Sequence, residues 1–372
     1  MSLLTKISVV LPSLDPDEKL LTVVNGLLEQ GFDDIILVND GSKPENLHYF
    51  ETAATHGQVH VLHHPKNLGK GAALKTAFRW FLENRRDRQG VVTVDGDAQH
   101  HPEDTAACAS HMVRTGRITL GVRDFSLPHV PARSRSGNRI TSAVFKVFVG
   151  MTLSDTQTGL RAIPTDVLEQ MTQVKGDRFE YETNMLLEMK RQALPFDEVK
   201  IRTVYIEENK SSHFRTIRDS WRIYKLILAH FFRYTLSSVL SAVLDEGLFV
   251  LLSHLLSQRL TGFALTAIPT AGARIVSSLF NFCVNKKLVF QSRNSTAKAL
   301  LRYYLLAVPT VVMQMGLTHG IYSLAGITEE QTLLRALIYG IVMAVLFIAS
   351  FLIQQRWVFT EKPVHKENHH EV

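Results

Sequence analysis

Cysteine is scarce in this chain. Its 372 residues include only two cysteines, Cys108 and Cys283, which lie in different parts of the sequence. That count excludes a disulfide framework and a cysteine-rich metal site, and we expect both side chains to be buried thiols. The adjacent histidine pairs at 63–64 and 100–101 do not replace them, because neighbouring residues on a strand point to opposite faces. A histidine metal site is therefore not expected.

Acidic residues nearly vanish from the C-terminal part of the sequence. Only four of the 35 acidic residues fall between positions 226 and 360, namely Asp245, Glu246, Glu329 and Glu330. The same stretch contains four apolar segments, each near the ~20 residues that cross a bilayer, at 231–256, 262–284, 303–325 and 333–353. The pattern predicts an all-α membrane domain of four transmembrane helices. A helical bundle buried in a water-soluble protein is the alternative.

Basic residues concentrate at the ends of these segments. They gather before the first segment, between the second and third, and after the fourth, whereas the other two loops carry little beyond Arg259 and Arg335. By the positive-inside rule, both termini are cytoplasmic. The N-terminus lacks the basic, apolar and cleavage-site regions of a signal peptide, so we expect residues 1–225 to stay in the cytoplasm. The sequence thus predicts a multi-pass protein of the cell inner (cytoplasmic) membrane.

The net charge of +6 fits a lipid surface better than a nucleic acid, because the basic residues border apolar segments instead of forming one patch. Residues 213–225 interleave arginine and lysine with aromatic and aliphatic side chains, which predicts a basic amphipathic helix at the membrane surface. The predicted organisation has four parts: a cytoplasmic domain over 1–212, an interfacial helix and linker over 213–229, the membrane domain over 230–360 and a polar tail over 361–372.

A short repeat occurs within the membrane part. The decapeptides at 281–290 and 350–359 match in their pattern of polar, apolar and basic residues, and they start 69 residues apart (350 minus 281). Each one closes a predicted helix pair. The repeat therefore predicts two duplicated helical hairpins, an architecture found in transporters. Chance similarity of two short segments is the alternative.

The first 210 residues alternate β-branched runs with helical patterns. Strands are predicted near 7–11, 34–39, 59–63, 90–95 and 118–123, with helices near 18–30, 46–56, 69–84 and 102–115. This alternation predicts an α/β domain with a mainly parallel sheet covered by helices on both faces. In such sheets, ligands bind at the carboxyl ends of the strands.

Polar clusters follow the predicted strands at that edge. Asp95 and Asp97 come after the fourth strand, and two carboxylates facing a diphosphate need a cation between them, for which oxygen ligands select Mg²⁺ or Mn²⁺. The loop at 67–71 (Asn-Leu-Gly-Lys-Gly) opens a helix, so its backbone N–H groups and Lys70 suit a phosphate. A plain turn and a solvated lysine are the alternatives.

Six ordered motifs carry a resemblance to a known family. They lie at 12–18, 38–42 (Val-Asn-Asp-Gly-Ser), 67–71, 95–100 (Asp-Gly-Asp-Ala-Gln-His), 121–123 (Gly-Val-Arg) and 155–161 (Asp-Thr-Gln-Thr-Gly-Leu-Arg). Residues 5–220 resemble the inverting family-2 glycosyltransferases, most closely the polyprenyl-phosphate sugar transferases related to dolichol-phosphate mannose synthase. Residues 230–360 resemble the GtrA-like membrane domain, a four-helix family associated with moving lipid-linked sugars across membranes.

The resemblance implies a GT-A type nucleotide-sugar-binding domain, a UDP- or GDP-sugar donor, a polyprenyl phosphate acceptor and Mg²⁺ or Mn²⁺. It implies that the nucleotide is surrounded by Pro12, Asp15, Glu18 and Asp40, that Asp95 approaches ribose or phosphate, and that Asp97 with Gln99 holds the metal. On the acceptor side it implies Arg123, Arg135 and Arg139 at the lipid phosphate, with Asp155, Gln157 and Arg161 lining the site. Of these, we assign direct catalytic roles to Asp97, Asp155, Arg123 and Arg139.

Two positions depart from the family pattern. The usual Tyr-Asn-Glu after the first strand is replaced by Leu-Asp-Pro-Asp-Glu at 14–18, and Asn39 stands where the family has the first Asp of Asp-Asp-Gly-Ser. Both differences fall on nucleotide contacts, so the sequence leaves open which nucleotide and which sugar are used.

Three charged residues lie within the apolar segments: Asp245, Glu246 and Arg274. A single charge there costs at least ~2.5–3.5 kcal/mol on insertion scales. One interpretation is that an acidic residue pairs with Arg274 across neighbouring helices and only fixes their packing. The other is that Arg274 lines a polar path for the phosphate of the lipid.

The favoured function is synthesis of a polyprenyl-phosphate-linked sugar at the cytoplasmic leaflet, with the membrane domain anchoring the enzyme or helping the product to cross. One alternative is a transporter or scaffold that carries a degenerate transferase domain. Another is a processive polysaccharide synthase, although the compressed Gln-Gln-Arg-Trp element at 354–357 follows the last membrane segment. A homo-oligomer is compatible with the sequence.

Overall fold

The computed structural model describes residues 2–128, 130–203, 224–225, 228–292 and 294–360. The chain divides into two compact units, an N-terminal unit, Met1–Ile227, and a C-terminal unit, Leu228–Val372. Most of the predicted interfacial helix and the whole predicted polar tail lie outside the described residues. Each unit is described by itself below.

A seven-stranded sheet forms the centre of the N-terminal unit. Its strands run in the spatial order β3-β2-β1-β4-β6-β5-β7, and only β6 is antiparallel to its neighbours. The strands are β1 (Ile7–Ser13), β2 (Ile35–Asn39), β3 (Val59–His63), β4 (Gly90–Thr93), β5 (Ile118–Arg123), β6 (Arg161–Pro164) and β7 (Phe196–Ile201). The mainly parallel sheet is confirmed, and the five predicted strands are all present.

Over residues 2–128 and 130–203, seven helices cover the two faces of this sheet. They are α1 (Lys19–Glu29), α2 (Leu47–Ala54), α3 (Lys70–Asn84), α4 (Pro102–Thr115), α5 (Ala132–Val144), α6 (Thr165–Thr172) and α7 (Glu180–Arg191). Successive strand residues feed opposite cores: Val10 packs with residues of α3, α6 and α7, whereas Val9 and Leu11 pack with residues of α1, α2 and α4. Because both faces are covered, the central strands are continuous apolar runs.

Four long helices make up the C-terminal unit. They are α8 (Ala229–Leu256), α9 (Phe263–Val284), α10 (Thr296–Leu324) and α11 (Thr332–Ile353), and π-helical turns at Asn285–Val289 and Gln354–Val358 extend α9 and α11. Each of the four is long and apolar enough to cross a membrane. This confirms the predicted all-α membrane domain. The third helix begins seven residues before the predicted segment (303 minus 296), because Lys298 and Arg302 interrupt the hydropathy but not the helix.

The structure confirms the duplication inferred from the repeat. The helix α9 and its π-helical turn recur, with the same lengths, as α11 and its turn. The amides of Asn285 and Gln354, which occupy equivalent positions 69 residues apart, hydrogen-bond to each other with Nδ2 and Oε1 separated by 3.2 Å. The equivalent rings of Phe290 and Phe359 stack with centroids 5.0 Å apart. The two hairpins thus contact each other through equivalent residues.

The two cysteines have different environments. Cys108 is buried in α4, as expected, and burial raises the pKa of its thiol to about 12. The expectation was wrong for Cys283, which is exposed on α9. An apolar face that turns toward lipid needs no protein cover, so sequence hydrophobicity in this unit does not indicate burial inside the protein.

Candidate active site

The loop after β4 carries the two predicted carboxylates. The Gln99 N–H donates to Asp97 Oδ1 at 3.1 Å, and the Asp95 N–H donates to His100 Nδ1 at 3.3 Å, so the turn is held from both ends. A Cβ atom at Gly159 would lie 2.5 Å from Asp95 Oδ2. Only glycine at that position leaves room for the Asp95 carboxylate.

Lys70 connects this loop to a helix on one face of the sheet. As the first residue of α3, it places its Nζ 2.7 Å from Asp95 Oδ1 and 3.0 Å from Glu182 Oε1 of α7. Burial alone lowers the pKa of Lys70, but the Asp95 and Glu182 carboxylates outweigh it and raise that pKa above its usual value. Lys70 is therefore a fixed positive charge at the strand ends.

The two carboxylates of the loop after β4 have pKa values shifted in opposite directions. Burial favours the neutral form of Asp95, yet Lys70 and His100 outweigh it and lower the pKa of Asp95. For Asp97, burial and the neighbouring Asp95 charge raise the pKa above its usual range. Asp97 has no ion-pair partner among the described residues, so a metal cation bound there would offset both its burial and the repulsion from Asp95.

Arg123 and Asp155 form the second ion pair of the site. Arg123, the last residue of β5, donates from Nε to Asp155 Oδ2 at 2.7 Å and from Nη2 to Oδ1 at 3.1 Å. The Asp155 side chain is fully buried, and its Oδ1 also accepts the Gln157 N–H at 3.0 Å. This forked geometry fixes the guanidinium plane of Arg123.

Arg161 lies beneath the site and does not reach its surface. It is the first residue of β6 and is 2% exposed. Its Nε donates to the Thr158 carbonyl at 3.0 Å and its Nη1 donates to the Glu182 carbonyl at 2.8 Å. Among the described residues, Nη2 of Arg161 has no hydrogen-bond partner. The contact with the Glu182 backbone makes Arg161 a support for α7.

Asp40 and Asp15 organise the neighbouring loops. Asp40 is buried, and its two oxygens accept the N–H groups of Leu68 at 2.9 Å and Gly69 at 2.8 Å, which shapes the loop that leads into Lys70. Asp15 adopts a left-handed φ of 47° and accepts the Lys43 N–H at 2.8 Å. Both carboxylates therefore order backbone next to the strand ends.

The remaining predicted residues, Pro12, Glu18, Arg135 and Arg139, take no part in the ion pairs described above. Pro12 lies in β1, and Glu18 is exposed at the start of α1. Arg135 and Arg139 are both exposed on α5, where Arg135 Nη2 donates to the Leu127 carbonyl at 2.9 Å. The structure thus brings Lys70, Asp95 and Asp97 together and pairs Arg123 with Asp155, whereas the arginines of α5 stand apart from these pairs.

Glu182 was missed by sequence reasoning. It lies within α7, outside every strand-end motif, and only its contact with Lys70 across the fold reveals it. Its side chain is 15% exposed. The only sequence signal is a glutamate on a helix face that also buries Tyr181, Met185 and Leu186, which is a weak indication by itself.

The residues present fit a divalent metal that arrives with its substrate. No group of three or more His, Cys, Asp or Glu side chains in the described parts of the chain could hold a metal ion by itself. Asp97 and Gln99 can supply side-chain oxygens from one loop. Mg²⁺ and Mn²⁺ are commonly held by one or two protein carboxylates together with substrate phosphates and water. The incomplete protein donor set is consistent with that mode.

The two units match two protein families. Residues 8–172 match the family described as glycosyl transferase family 2, and residues 233–359 match the GtrA/DPMS transmembrane domain. The chain therefore contains a family-2 glycosyltransferase domain and a GtrA/DPMS transmembrane domain. The N-terminal unit is hereafter called the transferase unit, and the C-terminal unit the membrane unit.

Several proteins are similar to this glycosyltransferase. An N-acetylglucosaminyltransferase of Methanococcus voltae, named for UDP-N-acetylglucosamine and dolichyl phosphate, is 26% identical over 54% of this chain and 86% of its own length. A polyprenol monophosphomannose synthase of Mycolicibacterium smegmatis is 25% identical over 44% of this chain and 63% of its own. A solved glucosyl-3-phosphoglycerate synthase of Mycobacterium tuberculosis is 16% identical, covers 60% of this chain and 77% of its own, and gives a TM-score of 0.46.

The membrane unit of the glycosyltransferase contains the predicted intramembrane charges. Arg274 of α9 places Nη2 3.0 Å from Asp245 Oδ2 of α8, and Asp245 Oδ1 accepts the Ser277 hydroxyl at 2.7 Å. The Arg274 side chain is 71% exposed, whereas Asp245 is 18% exposed. Glu246 is exposed on α8. The pair therefore joins neighbouring helices while leaving one side of the guanidinium open.

Proposed function

We propose that this glycosyltransferase moves a sugar, with inversion, from a UDP- or GDP-sugar to a polyprenyl phosphate at the cytoplasmic face of the membrane. The observation that carries this is the charge arrangement at the strand ends: Lys70 held between Asp95 and Glu182, with Asp97 uncompensated beside it and Arg123 fixed by Asp155. The names of the M. voltae and M. smegmatis relatives support the lipid-phosphate acceptor.

On the donor side, the loops ordered by Asp15 and Asp40, together with Pro12 and Glu18, would surround the nucleotide. Asp97 and Gln99 would hold Mg²⁺ or Mn²⁺, which when bound offsets the negative charge that develops on the departing diphosphate. Lys70 adds a positive charge near the same phosphates, and Asp95 lies within reach of ribose or phosphate. These residues bind and orient the leaving group.

On the acceptor side, no strong general base is required. The second pKa of a phosphate monoester is about 6, so the acceptor oxygen is already anionic near pH 7. What the reaction needs is an arginine that holds this phosphate in line behind the anomeric carbon. Arg123 is oriented by the buried Asp155 for that task, and we assign Arg135, Arg139 and Gln157 to the acceptor side. Arg161 acts through the backbone of Glu182.

The membrane unit would anchor the enzyme where its lipid substrate and product reside. We propose an inner-membrane location with both termini in the cytoplasm. A basic amphipathic helix and linker over 213–229 would lie at the membrane surface, following the cytoplasmic domain over 1–212 and preceding the membrane domain over 230–360 in the sequence. The open side of Arg274 supports a role in passing the lipid phosphate across the membrane. The polar tail over 361–372 completes the proposed organisation.

The test is direct. Membranes that contain the full chain are incubated with polyprenyl phosphate and a panel of radiolabelled UDP- and GDP-sugars, and the chloroform phase is counted. We expect label in that phase with one donor, and none with the Asp97→Asn variant or with EDTA. A scaffold with a degenerate domain would give no label with any donor, and a polysaccharide synthase would leave label in insoluble polymer.

A further inference from the structure

A cavity of about 380 Å³ lies between α10 and α11 of the membrane unit. Its lining comes from the C-terminal half of α10 and the N-terminal half of α11, away from the π-helical turns at 285–289 and 354–358. The polar side chains that line it are Gln314, Thr318, His319, Tyr322, Arg335 and Tyr339. All six can donate hydrogen bonds, and none is a carboxylate.

Arg335 is oriented toward this cavity without being neutralised. Its guanidinium lies over the ring of Tyr322 at 4.8 Å, and the Tyr322 hydroxyl donates to the Arg335 carbonyl at 2.6 Å. Within the described ranges no carboxylate lies within 4.0 Å of Arg335, although Glu329 and Glu330 belong to the preceding turn. Arg274, in contrast, is paired with Asp245.

A second, independent observation points to a ligand. Thr318 is 8% exposed and lines the cavity, and its hydroxyl has no hydrogen-bond partner among the described residues. A buried hydroxyl in an apolar helix pair normally donates to a carbonyl one turn earlier, as Thr310 does to Leu306 at 2.7 Å. The unpartnered hydroxyl of Thr318 is instead available to a group that enters the cavity.

The first hairpin, formed by α8 and α9, carries different side chains at the positions equivalent to this lining. With the offset of 69 residues seen in the Asn285–Gln354 pair, the positions equivalent to Gln314, Thr318, His319, Arg335 and Tyr339 are Asp245, Phe249, Val250, Thr266 and Thr270. The first hairpin therefore lacks the arginine and the histidine. The donor-rich cavity is specific to the second hairpin.

We infer that this cavity binds the phosphodiester headgroup of a membrane lipid, with Arg335 and Thr318 donating to the phosphate and the lipid chain lying along Val311 and Met315. A cluster of donors that includes an arginine without a carboxylate partner selects an anionic ligand, and the surrounding apolar helix surface selects one with a hydrocarbon chain. That the diester is the glycosylated polyprenyl phosphate rests on the proposed function.

The experiment measures lipid binding to the purified full chain by native mass spectrometry. Three probes are titrated separately: phosphatidylglycerol, a polyprenyl phosphosugar and inorganic phosphate. We expect Arg335→Gln to weaken both phosphodiester lipids about tenfold, because it removes a charge-assisted contact, and Arg335→Lys to weaken them less. The matched control is Arg259→Gln, which removes an exposed arginine after α8, outside this cavity, and should leave binding unchanged.

A third variant keeps the test independent of charge and of folding. Thr318→Val removes the hydroxyl with little change of shape, so it should weaken the lipids about threefold while the variant still inserts, since no intramolecular hydrogen bond is lost. Stronger binding of the phosphosugar than of phosphatidylglycerol supports a product site. Equal binding supports a general lipid-headgroup site and overturns selectivity for the product.

Two results overturn the assignment itself. One is unchanged lipid affinity in both Arg335→Gln and Thr318→Val, and the other is displacement of the lipids by inorganic phosphate at equal concentration. Sugar transfer is assayed on the same variants. Normal transfer with lost binding separates this cavity from the active site, whereas absence of transfer in the wild type counts against the proposed function alone.

Discussion

The two units of this glycosyltransferase use charge in different ways. In the transferase unit, ionised side chains gather at the strand ends, where Lys70 touches Asp95 and Glu182, whereas Asp97 has no ion-pair partner among the described residues. In the described part of the membrane unit, apolar helices carry the Arg274–Asp245 ion pair and a pair of neutral amides, Asn285 and Gln354. Water can solvate imperfect charge pairs in the transferase unit, whereas lipid cannot do so in the membrane unit, where a polar group without a protein partner, such as the Thr318 hydroxyl, is costly.

The largest effect should come from the uncompensated carboxylate of the transferase unit. Asp97→Asn should lower the transfer rate at least about a hundredfold, because losing a leaving-group cation costs several kcal/mol. The rate is measured by extraction of labelled lipid, and circular dichroism should show an intact fold. Asp87→Asn, at an exposed position in the turn before β4, is the matched control. Retention of more than a tenth of the wild-type rate would contradict the metal assignment.

The next effect tests whether Glu182 works through Lys70. Glu182→Gln removes one of the two carboxylates that hold Lys70, so we expect a loss of about tenfold in kcat/KM for the nucleotide sugar, with KM for the acceptor unchanged. Glu188→Gln on the same helix changes only local contacts with Arg191 and Gln192 and should have little effect. Equal changes for donor and acceptor would point to a general loss of structure instead.

A comparable test shows whether Arg123 contacts the acceptor phosphate or the nucleotide-sugar donor. Arg123→Ala should raise KM for polyprenyl phosphate about tenfold while leaving the KM for the nucleotide sugar unchanged, because the fork that Asp155 orients is lost. Arg123→Lys should recover part of this loss as a point charge. Arg117→Ala, which removes a surface pair with Asp197, is the control. A change confined to the donor would show that Arg123 belongs to the nucleotide side.

Breaking the ion pair between Arg274 and Asp245 should have a smaller effect. The effect should appear in delivery of the lipid-linked sugar across the membrane and not in the rate of sugar transfer. Arg274→Ala should leave transfer by the transferase unit unchanged but slow the appearance of lipid-linked sugar on the far leaflet of proteoliposomes several-fold. Arg274→Lys should restore part of that delivery. If the stably inserted alanine variant delivers product at the wild-type rate, the pair with Asp245 has only a packing role.

The strands that sequence analysis found differ from those it missed in one respect. The strands β1, β2, β4 and β5 are largely apolar runs that end in polar loops, a pattern that burial on both faces produces. The edge strand β3 is only half-buried, but it still alternates valine with histidine over its first three residues. In contrast, β6 has four residues, begins with Arg161 and runs antiparallel, and β7 alternates charged with apolar residues. Their place in the sheet depends on contacts between distant segments, which no local pattern encodes.

The same distinction applies to the site. Asp95, Asp97 and Lys70 could be predicted because each lies in a loop that follows a strand or opens a helix. Glu182 could not, since α7 contains another glutamate, Glu188, that is equally half-buried (18% exposed against 15%) yet pairs only with Arg191 on the same helix. In the membrane unit the repeat predicted the duplication, but only the structure shows which equivalent residues touch.

The smallest effect should come from breaking the hydrogen bond between the side chains of Asn285 and Gln354. Asn285→Leu and Gln354→Leu each leave one amide of the pair without its partner, and each also removes a second bond, to Asn281 Oδ1 at 2.9 Å or to the Tyr234 hydroxyl at 3.1 Å. Each should therefore destabilise the membrane unit by about 1 kcal/mol or more, given the ~0.6–1.7 kcal/mol measured for hydrogen bonds between membrane helices. The double variant should lose less than the sum of the two, because no unpaired amide remains. Reversible unfolding of the reconstituted full chain in denaturing detergent measures these values. Gln258→Leu, an exposed amide after α8, is the control. Sugar transfer should be normal in all four variants, and additive losses would show that the amides do not act as a pair.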